Sequence, residues 1–210
     1  MQFYCTLVQT PFRQQSITDK FANFSICPKF VEYTKIFPKI ETLRIAQENG
    51  VWDKDCWDYM HCHMQCLNQF LMSNDDMAVI FEDQILMHKD FAQHLPNIIS
   101  RFVNLDLDIM LLGYNNVVDS QQPIVFHQYS VETCRCQMYM IRRRYAEHVF
   151  TYFGPHSIYQ ESNLLNPGAY PAWPPYSADR IIARMCGPKE LVIPPMCVND
   201  DYTNHQNIYI

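Results

Sequence analysis

The chain has 210 residues, of which 48% are hydrophobic and 14% are aromatic, and its formal net charge is −6. That composition is typical of a globular protein with one substantial core, and it excludes general intrinsic disorder. The acidic balance, with a pI near 5.7, indicates no nucleic-acid partner, because surfaces that bind nucleic acid are usually basic.

The N-terminal residues Met1 to Val8 lack the basic start and long apolar run of a secretory signal. No stretch of the sequence has the apolar length of a transmembrane helix. Nine cysteines, an odd number, are scattered from Cys5 to Cys197 without the regular spacing of a small disulfide scaffold. We therefore predict a cytoplasmic protein with reduced, mostly buried thiols and no membrane partner.

Strand and helix patterns alternate in the first fifty residues. Strands are predicted at 2–8 and 30–36, which are rich in aromatic and β-branched residues. An extended turn is predicted at 10–13, because the residue before a proline avoids the helical region. A short helix is predicted at 40–47, with Gly50 just beyond it as a C-terminal stop.

The most distinctive segment is the apolar run from Met77 to Phe81, which ends abruptly in the adjacent acids Glu82 and Asp83. A run of that length, bounded by polar residues, predicts a strand that is buried on both faces. Because ligands of α/β proteins bind beyond the carboxyl ends of such strands, the acid pair predicts a functional site. The alternative is that the two acids merely begin a solvated loop.

The clearest helix, at 55–72, precedes this strand. Its apolar side chains recur at spacings of three and four, which predicts one face that packs on a sheet: Trp57, Met60, Met64, Leu67 and Leu71. The patterns after the strand predict a helix, three strands and a second helix: 90–101, 107–113, 124–128, 137–141 and 142–153. The strand at 107–113 ends at a glycine, where a backbone can approach a ligand.

The segment 155–175 is rich in proline and is predicted to be either a lid over a binding site or a disordered loop. A short capped helix from Ser177 to about Met185 and a late strand at 191–193 follow it. Strands alternate with helices throughout, so the predicted fold class is α/β with a mostly parallel central sheet flanked by helices.

The order of these features resembles a family of sugar transferases. Phe81–Ile85, followed by Asp90-Phe91, resembles the apolar strand, Glu-Asp-Asp and downstream aromatic of the lipooligosaccharide and collagen-type sugar transferases. Cys62-His63 falls where that family carries a Ser-His pair, and 108–113 is similar to its Asp-Ile-Leu-Leu-Leu-Gly strand. Gln137–Ile141 resembles its Ala-Tyr-Leu-Ile strand. No single motif is decisive.

The resemblance implies a single GT-A-like domain over 1–210, with a nucleotide-sugar-binding half at about 1–113 and an acceptor-side half at about 114–210. It implies transfer of a hexose from a nucleotide-diphosphate sugar, such as UDP-glucose, to a glycan or glycoprotein acceptor. The chain also resembles the soluble sugar transferases of large algal DNA viruses, which implies a viral capsid glycan as acceptor and the host cytoplasm as location.

The family pattern, with the chemistry of its residues, also implies a set of site residues. Those expected to bind the donor are Thr10, Arg13, His63, Glu82, Asp83 and Gln84. A divalent cation, Mn²⁺ or Mg²⁺, is expected on the hard oxygens of Glu82 and Asp83, completed by His205. Asp179 is the candidate base that deprotonates the acceptor.

One departure from the family pattern leaves two other functions open. Gln84 stands where family members place an acid, so it brings no charge to offset a divalent ion. A non-catalytic binding protein with a degenerate metal site is therefore one alternative. The other is a metal-dependent phosphohydrolase, because carboxylates at strand ends serve phosphate chemistry equally well.

Two further polar clusters receive structural interpretations. The triplet Arg142-Arg143-Arg144 begins a helix and is expected to form a solvated face rather than a phosphate site. The cysteines and histidines near 61–66, with Cys134 and Cys136, raise the question of zinc. One rigid helix scatters such ligands over several faces, so core packing is favoured over a zinc site.

Overall fold

The structure is a computed structural model that describes residues 1–7, 11–35, 43–44, 47–48, 50, 53–113, 124–127, 136–153, 178, 182, 189–193 and 195–199. Within these ranges a central sheet has helices on both faces. Its strands are β1 Gln2–Leu7, β2 Lys29–Glu32, β3 Met77–Glu82, β4 Ile85–Met87, β5 Ile109–Gly113, β6 Val125–His127, β7 Met138–Arg142, β8 Lys189–Ile193 and β9 Cys197–Asn199. The helices are α1 Pro11–Ala22, α2 Lys54–Leu71, α3 Phe91–Asn104 and α4 Arg143–Phe153.

The main strand order is β2-β1-β3-β7-β5-β8-β6, and β9 pairs with both β4 and β5. Strands β1, β2 and β3 are mutually parallel, and β5 is parallel to β8 and β9. Strand β7 runs antiparallel between β3 and β5, and β4 and β6 are antiparallel to their partners. Most strands therefore share one direction, and the predicted α/β class with a mostly parallel central sheet is confirmed.

The core lies in two layers because alternate residues of each strand point to opposite faces of the sheet. Ile80 of β3 packs with apolar residues of α2 and α4, whereas its neighbours Val79 and Phe81 pack with α1 and α3. Val79, Ile80 and Phe81 are fully buried. The predicted strand buried on both faces is confirmed.

The helix at 55–72 is also confirmed, with bounds Lys54–Leu71 and a capping side chain, Asp53, that accepts a hydrogen bond from the Cys56 amide. The turn predicted at 10–13 is wrong at its described residues, because α1 begins at Pro11. Proline suits the first helical position, where its missing N–H would have no intrahelical partner. The short strands β4 and β9 were not predicted. The proline-rich segment and most of the 40–47 helix lie outside the described residues.

The glycine that ends β5 packs against protein rather than standing open for a ligand, so that expectation is wrong. A Cβ atom at Gly113 would overlap the sulfur of Cys197 and would lie 3.1 Å from the Met138 backbone nitrogen. Close approach of β9 and β7 therefore requires glycine here.

The expected solvated face holds for Arg144, which is exposed, but not for the half-buried Arg142 and Arg143, which bind backbone carbonyls. Arg143 donates hydrogen bonds to four backbone carbonyls, at the C-terminal end of α2 and in the turn after it. Arg142 donates to the carbonyls of Leu107 and Phe102, and Arg144 donates to the carboxylates of Asp106 and Asp108.

In the described part of the chain, none of the helices has both the length and the apolar character needed to cross a bilayer.

Candidate active site

The acid pair lies where the parallel strands β1 and β3 end together. Thr6 of β1 is in register with Glu82 of β3, so both strands reach the same edge of the sheet. The Glu82 amide donates to the Gln137 carbonyl, 2.9 Å away, which fixes the strand end against the start of β7. The side chain of Glu82 is 19% exposed and that of Asp83 is 2% exposed. Glu82 is thus the acid with access to solvent.

Asp83 is paired with Arg13, which the sequence placed in the same site. Arg13 lies in the first turn of α1, directly after β1, and its Nη1 is 3.4 Å from Oδ2 of Asp83. A carboxylate this buried needs a charged partner, and the guanidinium supplies one. Because 37% of the Arg13 side chain is exposed, a cation with accessible surface borders the acid pair.

Glu82 is connected to a buried chain of polar groups beneath the sheet edge. The Nε2 atom of His63 lies 3.5 Å from Oε1 of Glu82, and its Nδ1 lies 3.1 Å from the hydroxyl oxygen of Tyr139. A carboxylate only accepts, so Nε2 of His63 donates to Glu82, and Nδ1 pairs with the Tyr139 hydroxyl. Both rings are fully buried. His63 therefore contacts Glu82 from a buried position and does not itself line an open pocket.

A cleft of about 380 Å³ lies between the segment after β2 and the first two turns of α2. It is lined by Tyr33, Lys35, Lys54, Asp55, Asp58, Tyr59 and Cys62. The wall formed by the segment after β2 is held to α2 by two hydrogen bonds between Gln65 and the backbone of Thr34, at 2.9 and 3.1 Å. The lining combines aromatic rings, two ammonium groups and two carboxylates.

The cleft and the acid pair are electrostatic neighbours. Burial raises the pKa of Tyr59, and the charges of Glu82 and Asp83 raise it further. Burial raises the pKa of Cys62 to about 12, with additional contributions from Asp58, Asp83 and Glu82. These thiol and phenol groups are therefore protonated at neutral pH, and they provide packing and hydrogen bonding rather than nucleophilic attack.

Asp58 is the fixed anion inside the cleft. The Tyr33 hydroxyl donates to it at 2.7 Å, and Lys54 donates to its other oxygen at 2.5 Å. Burial alone would raise the pKa of Asp58, but the hydrogen bonds from Lys54 and Tyr33 bring it below its ordinary value. Asp58 thus stays ionised and holds Tyr33 and Lys54 in position at the cleft.

The residues described at the acid pair do not complete a metal site. They provide two carboxylates, and that of Asp83 already contacts Arg13. Among the described residues, the group of three or more potential metal ligands is elsewhere, at His88, Asp90 and His94. The predicted Mn²⁺ or Mg²⁺ site stays a prediction that depends on His205, which lies outside the described residues.

The structure brings Arg13, His63, Glu82 and Asp83 together, and Gln84 follows them, half-buried, before β4 begins. Thr10 and Asp179, like His205, lie outside the described residues. The cleft residues were not predicted from the sequence, because the two walls of the cleft are about twenty residues apart in the chain. The available signal was the alternation of aromatic and basic residues just after a strand, Tyr33-Thr34-Lys35.

Comparisons with known proteins give a similarity of structure and none of sequence family. No family model matches the sequence, and no curated protein matches it. A solved structure described as a glycosyltransferase involved in the glycosylation of the major capsid of PBCV-1 is similar over 98% of this chain and 94% of its own, with 8% identity and a TM-score of 0.40. At that identity the assignment of function depends on the chemistry of the site.

Proposed function

We propose that this protein is a glycosyltransferase that moves a hexose from a nucleotide-diphosphate sugar, such as UDP-glucose, to a glycan or glycoprotein acceptor. One observation carries the proposal. An aromatic and cationic cleft adjoins an acid pair and an accessible arginine at the carboxyl edge of parallel strands β1, β2 and β3. In open α/β sheets, this edge is where nucleotide ligands bind.

The cleft has the groups that a nucleoside diphosphate requires. Tyr33 and Tyr59 offer ring faces or edges for a base, and the Asp58 carboxylate can accept from a ribose hydroxyl. Lys35 and Lys54 at the cleft, with Arg13 beside Asp83, offer positive charge to the two phosphates. As the glycosidic bond breaks, the diphosphate gains negative charge, and these cations stabilise it in the transition state.

The acids have separate proposed roles. Asp83 orients Arg13, because its buried carboxylate holds the guanidinium at the strand end. Glu82, supported from beneath by His63 and Tyr139, faces the donor sugar and can accept from its hydroxyl groups. From the family resemblance we still expect Asp179 as the acceptor base and a divalent cation at Glu82, Asp83 and His205.

A non-catalytic nucleotide-sugar-binding protein is the second candidate, and the Arg13–Asp83 pair favours it. A buried carboxylate that is already neutralised by arginine is less available to a metal ion. Such a protein would bind a nucleotide sugar in the same cleft without turnover. The two candidates therefore agree on the ligand and differ only in the reaction.

A thermal-shift panel of nucleotide sugars, with and without Mn²⁺, tests the shared ligand. We expect a UDP-sugar at about 100 times its Kd to stabilise the protein by about 2.7 kcal/mol. Asp83→Ala should abolish that shift. Asp19→Asn, which removes an exposed acid on the helix that carries Arg13, should retain it. If no nucleotide sugar shifts the transition with or without Mn²⁺, both candidates are rejected.

Release of free UDP from the stabilising UDP-sugar then separates the two candidates. Continuous release that increases with a glycan acceptor supports the transferase. A retained thermal shift without release over hours supports the binding protein. Cleavage of simple phosphodiesters without sugar transfer would support a phosphohydrolase instead.

A further inference from the structure

A second polar cluster lies on the other side of β4 from the acid pair. His88 follows β4, Asp90 precedes α3, and His94 lies in the first turns of α3. One potential ligand atom from each of these three residues falls within 4.8 Å of the others. His88 is buried, whereas Asp90 and His94 are half-buried, so the cluster has one closed side and one side open to solvent.

The Asp90 carboxylate does not cap α3, although Asp90 occupies the capping position. Asp90 occupies the N-cap of α3, where aspartate normally accepts a hydrogen bond from an amide of the first turn. Its side chain makes no capping hydrogen bond here. Instead the carboxylate lies with the two imidazoles. A helix N-terminus opposes a bound cation through its dipole, so this negative charge is what would allow a cation to bind.

The two histidines are held close by the local backbone. The Asp90 amide donates a 3.2 Å hydrogen bond to Nδ1 of His88, and the His88 and His94 rings meet edge-on with centroids 5.9 Å apart. The spacing of four residues between Asp90 and His94 places them on the same face of the helix. Binding an ion through Nδ1 of His88 would exchange this hydrogen bond for one metal bond.

From these contacts we propose that His88, Asp90 and His94 form a binding site for a zinc-like transition-metal ion. Two imidazoles and one carboxylate match the ligands of zinc and its neighbours, whereas Mg²⁺ and Ca²⁺ prefer oxygen. Zinc–nitrogen bonds of about 2.1 Å bring ligand atoms to about 3.4 Å apart, so atoms that lie within 4.8 Å of one another need to approach by at most about 1.4 Å on binding. The half-buried side chains of Asp90 and His94 can make that movement.

An ion at this site would connect the end of β4 to the start of α3. The His88 amide donates to the Met196 carbonyl at 2.8 Å, so the cluster is tied to the segment that enters β9. Strand β4 has only three residues and pairs with β9. The bound ion would therefore stabilise the β4–β9 pair and the start of α3.

Titration of the reduced, metal-free protein with ZnCl₂ by calorimetry tests the site. We expect one Zn²⁺ per chain and a higher melting temperature. Asp90→Asn and His94→Ala should each weaken binding at least about tenfold, since losing even an outer-shell partner costs that much. His127→Ala, which removes an exposed histidine of β6, should bind as the unmodified protein does. Asp83→Asn should also bind normally, which separates this ion from any ion at the acid pair.

Cobalt substitution distinguishes this site from the nine cysteines. Co²⁺ held by nitrogen and oxygen gives visible d–d bands without the near-ultraviolet sulfur-to-metal charge-transfer band that thiolates produce. Circular dichroism confirms that the variants fold, and Asp90→Asn keeps the shape of the original side chain. The proposal is overturned by the absence of stoichiometric binding, by a thiolate band, by binding that survives both cluster variants, or by loss of binding in Asp83→Asn or His127→Ala.

Discussion

The two ends of β3 are both rich in charge, yet they differ in what the charges contact. At the amino end, Met77 is in register with Arg142, and the arginines that follow bind backbone carbonyls and acids. At the carboxyl end, Glu82 and Asp83 contact the side chains of His63 and Arg13 beside a cleft. The first arrangement supplies donors to backbone carbonyls and partners to acids, whereas the second lies beside the cleft in which we propose that a ligand binds.

Arg143 shows why the amino end is structural. Its guanidinium donates to the carbonyls of Phe70, Leu71, Ser73 and Asp75, at distances of 2.7 to 3.3 Å. The last carbonyls of a helix have no intrahelical donors, and a cation at this end also interacts favourably with the helix dipole. The guanidinium carbon lies 5.2 Å from the centre of the Phe70 ring. Little donor capacity is left for a ligand.

The largest effect is expected from Arg143→Ala at the amino end. The substitution removes the guanidinium donors of four backbone carbonyls, so we expect a loss of about 3 kcal/mol in the free energy of unfolding. Urea denaturation measures it. Arg144→Ala is the matched control, because the Arg144 side chain is half exposed and its pairs with Asp106 and Asp108 are screened by solvent, so the loss should be much smaller. Equal losses in both variants would contradict the distinction between them.

Next in size is the effect of Glu82→Gln at the carboxyl end. If Glu82 contacts the donor sugar, kcat/KM for UDP release should fall about 100-fold, equivalent to about 2.7 kcal/mol. The unfolding free energy should change by less than about 1 kcal/mol, since glutamine still accepts from His63. Glu147→Gln, an exposed acid on α4, should leave both quantities unchanged. A large loss of stability without loss of turnover would make this end structural as well.

An effect that is smallest at pH 7 and grows as the pH falls is expected from His61 on α2. The His61 ring packs edge-on against Trp57, with the two ring centroids 4.6 Å apart. Neither ring nitrogen of His61 has a hydrogen-bond partner among the described residues. Burial lowers the pKa of His61 to about 4. The unfolded chain, with a histidine pKa of about 6.5, therefore binds a proton that the folded protein does not. The contribution of the His61 side chain to stability is therefore complete above about pH 6.5 and is lost as the pH falls toward 4.

His61→Leu should remove that loss and should be neutral or slightly stabilising at pH 7, because leucine buries no unpaired polar atom. Between pH 6.5 and 4, the unmodified protein should lose up to about 3 kcal/mol relative to the variant. Unfolding free energies measured at several pH values test this. A constant difference across that range would show that His61 titrates normally in the folded protein.

Local patterns predicted the elements with strong internal signals. Patterns among neighbouring residues predicted helix α2 from its periodicity, strand β3 from its apolar run, and strands β5 and β7. Strands β4 and β9 were missed because three residues carry no periodic signal, and both form where neighbouring strands supply their hydrogen bonds. The start of α1 was misread because proline favours both turns and the first helical position.

By itself, the sequence determined the α/β class, the buried strand and the acid pair at its end, since these depend on short-range apolar patterns and on strand polarity. Only the tertiary structure decided that Arg13 pairs with Asp83, that His63 supports Glu82 from a buried position, and that a cleft adjoins them. It also decided that Arg142 and Arg143 bind backbone carbonyls, whereas the exposed Arg144 pairs with acids. Contacts between residues some 20 to 70 positions apart arise from strand pairing and helix packing, which no local pattern records.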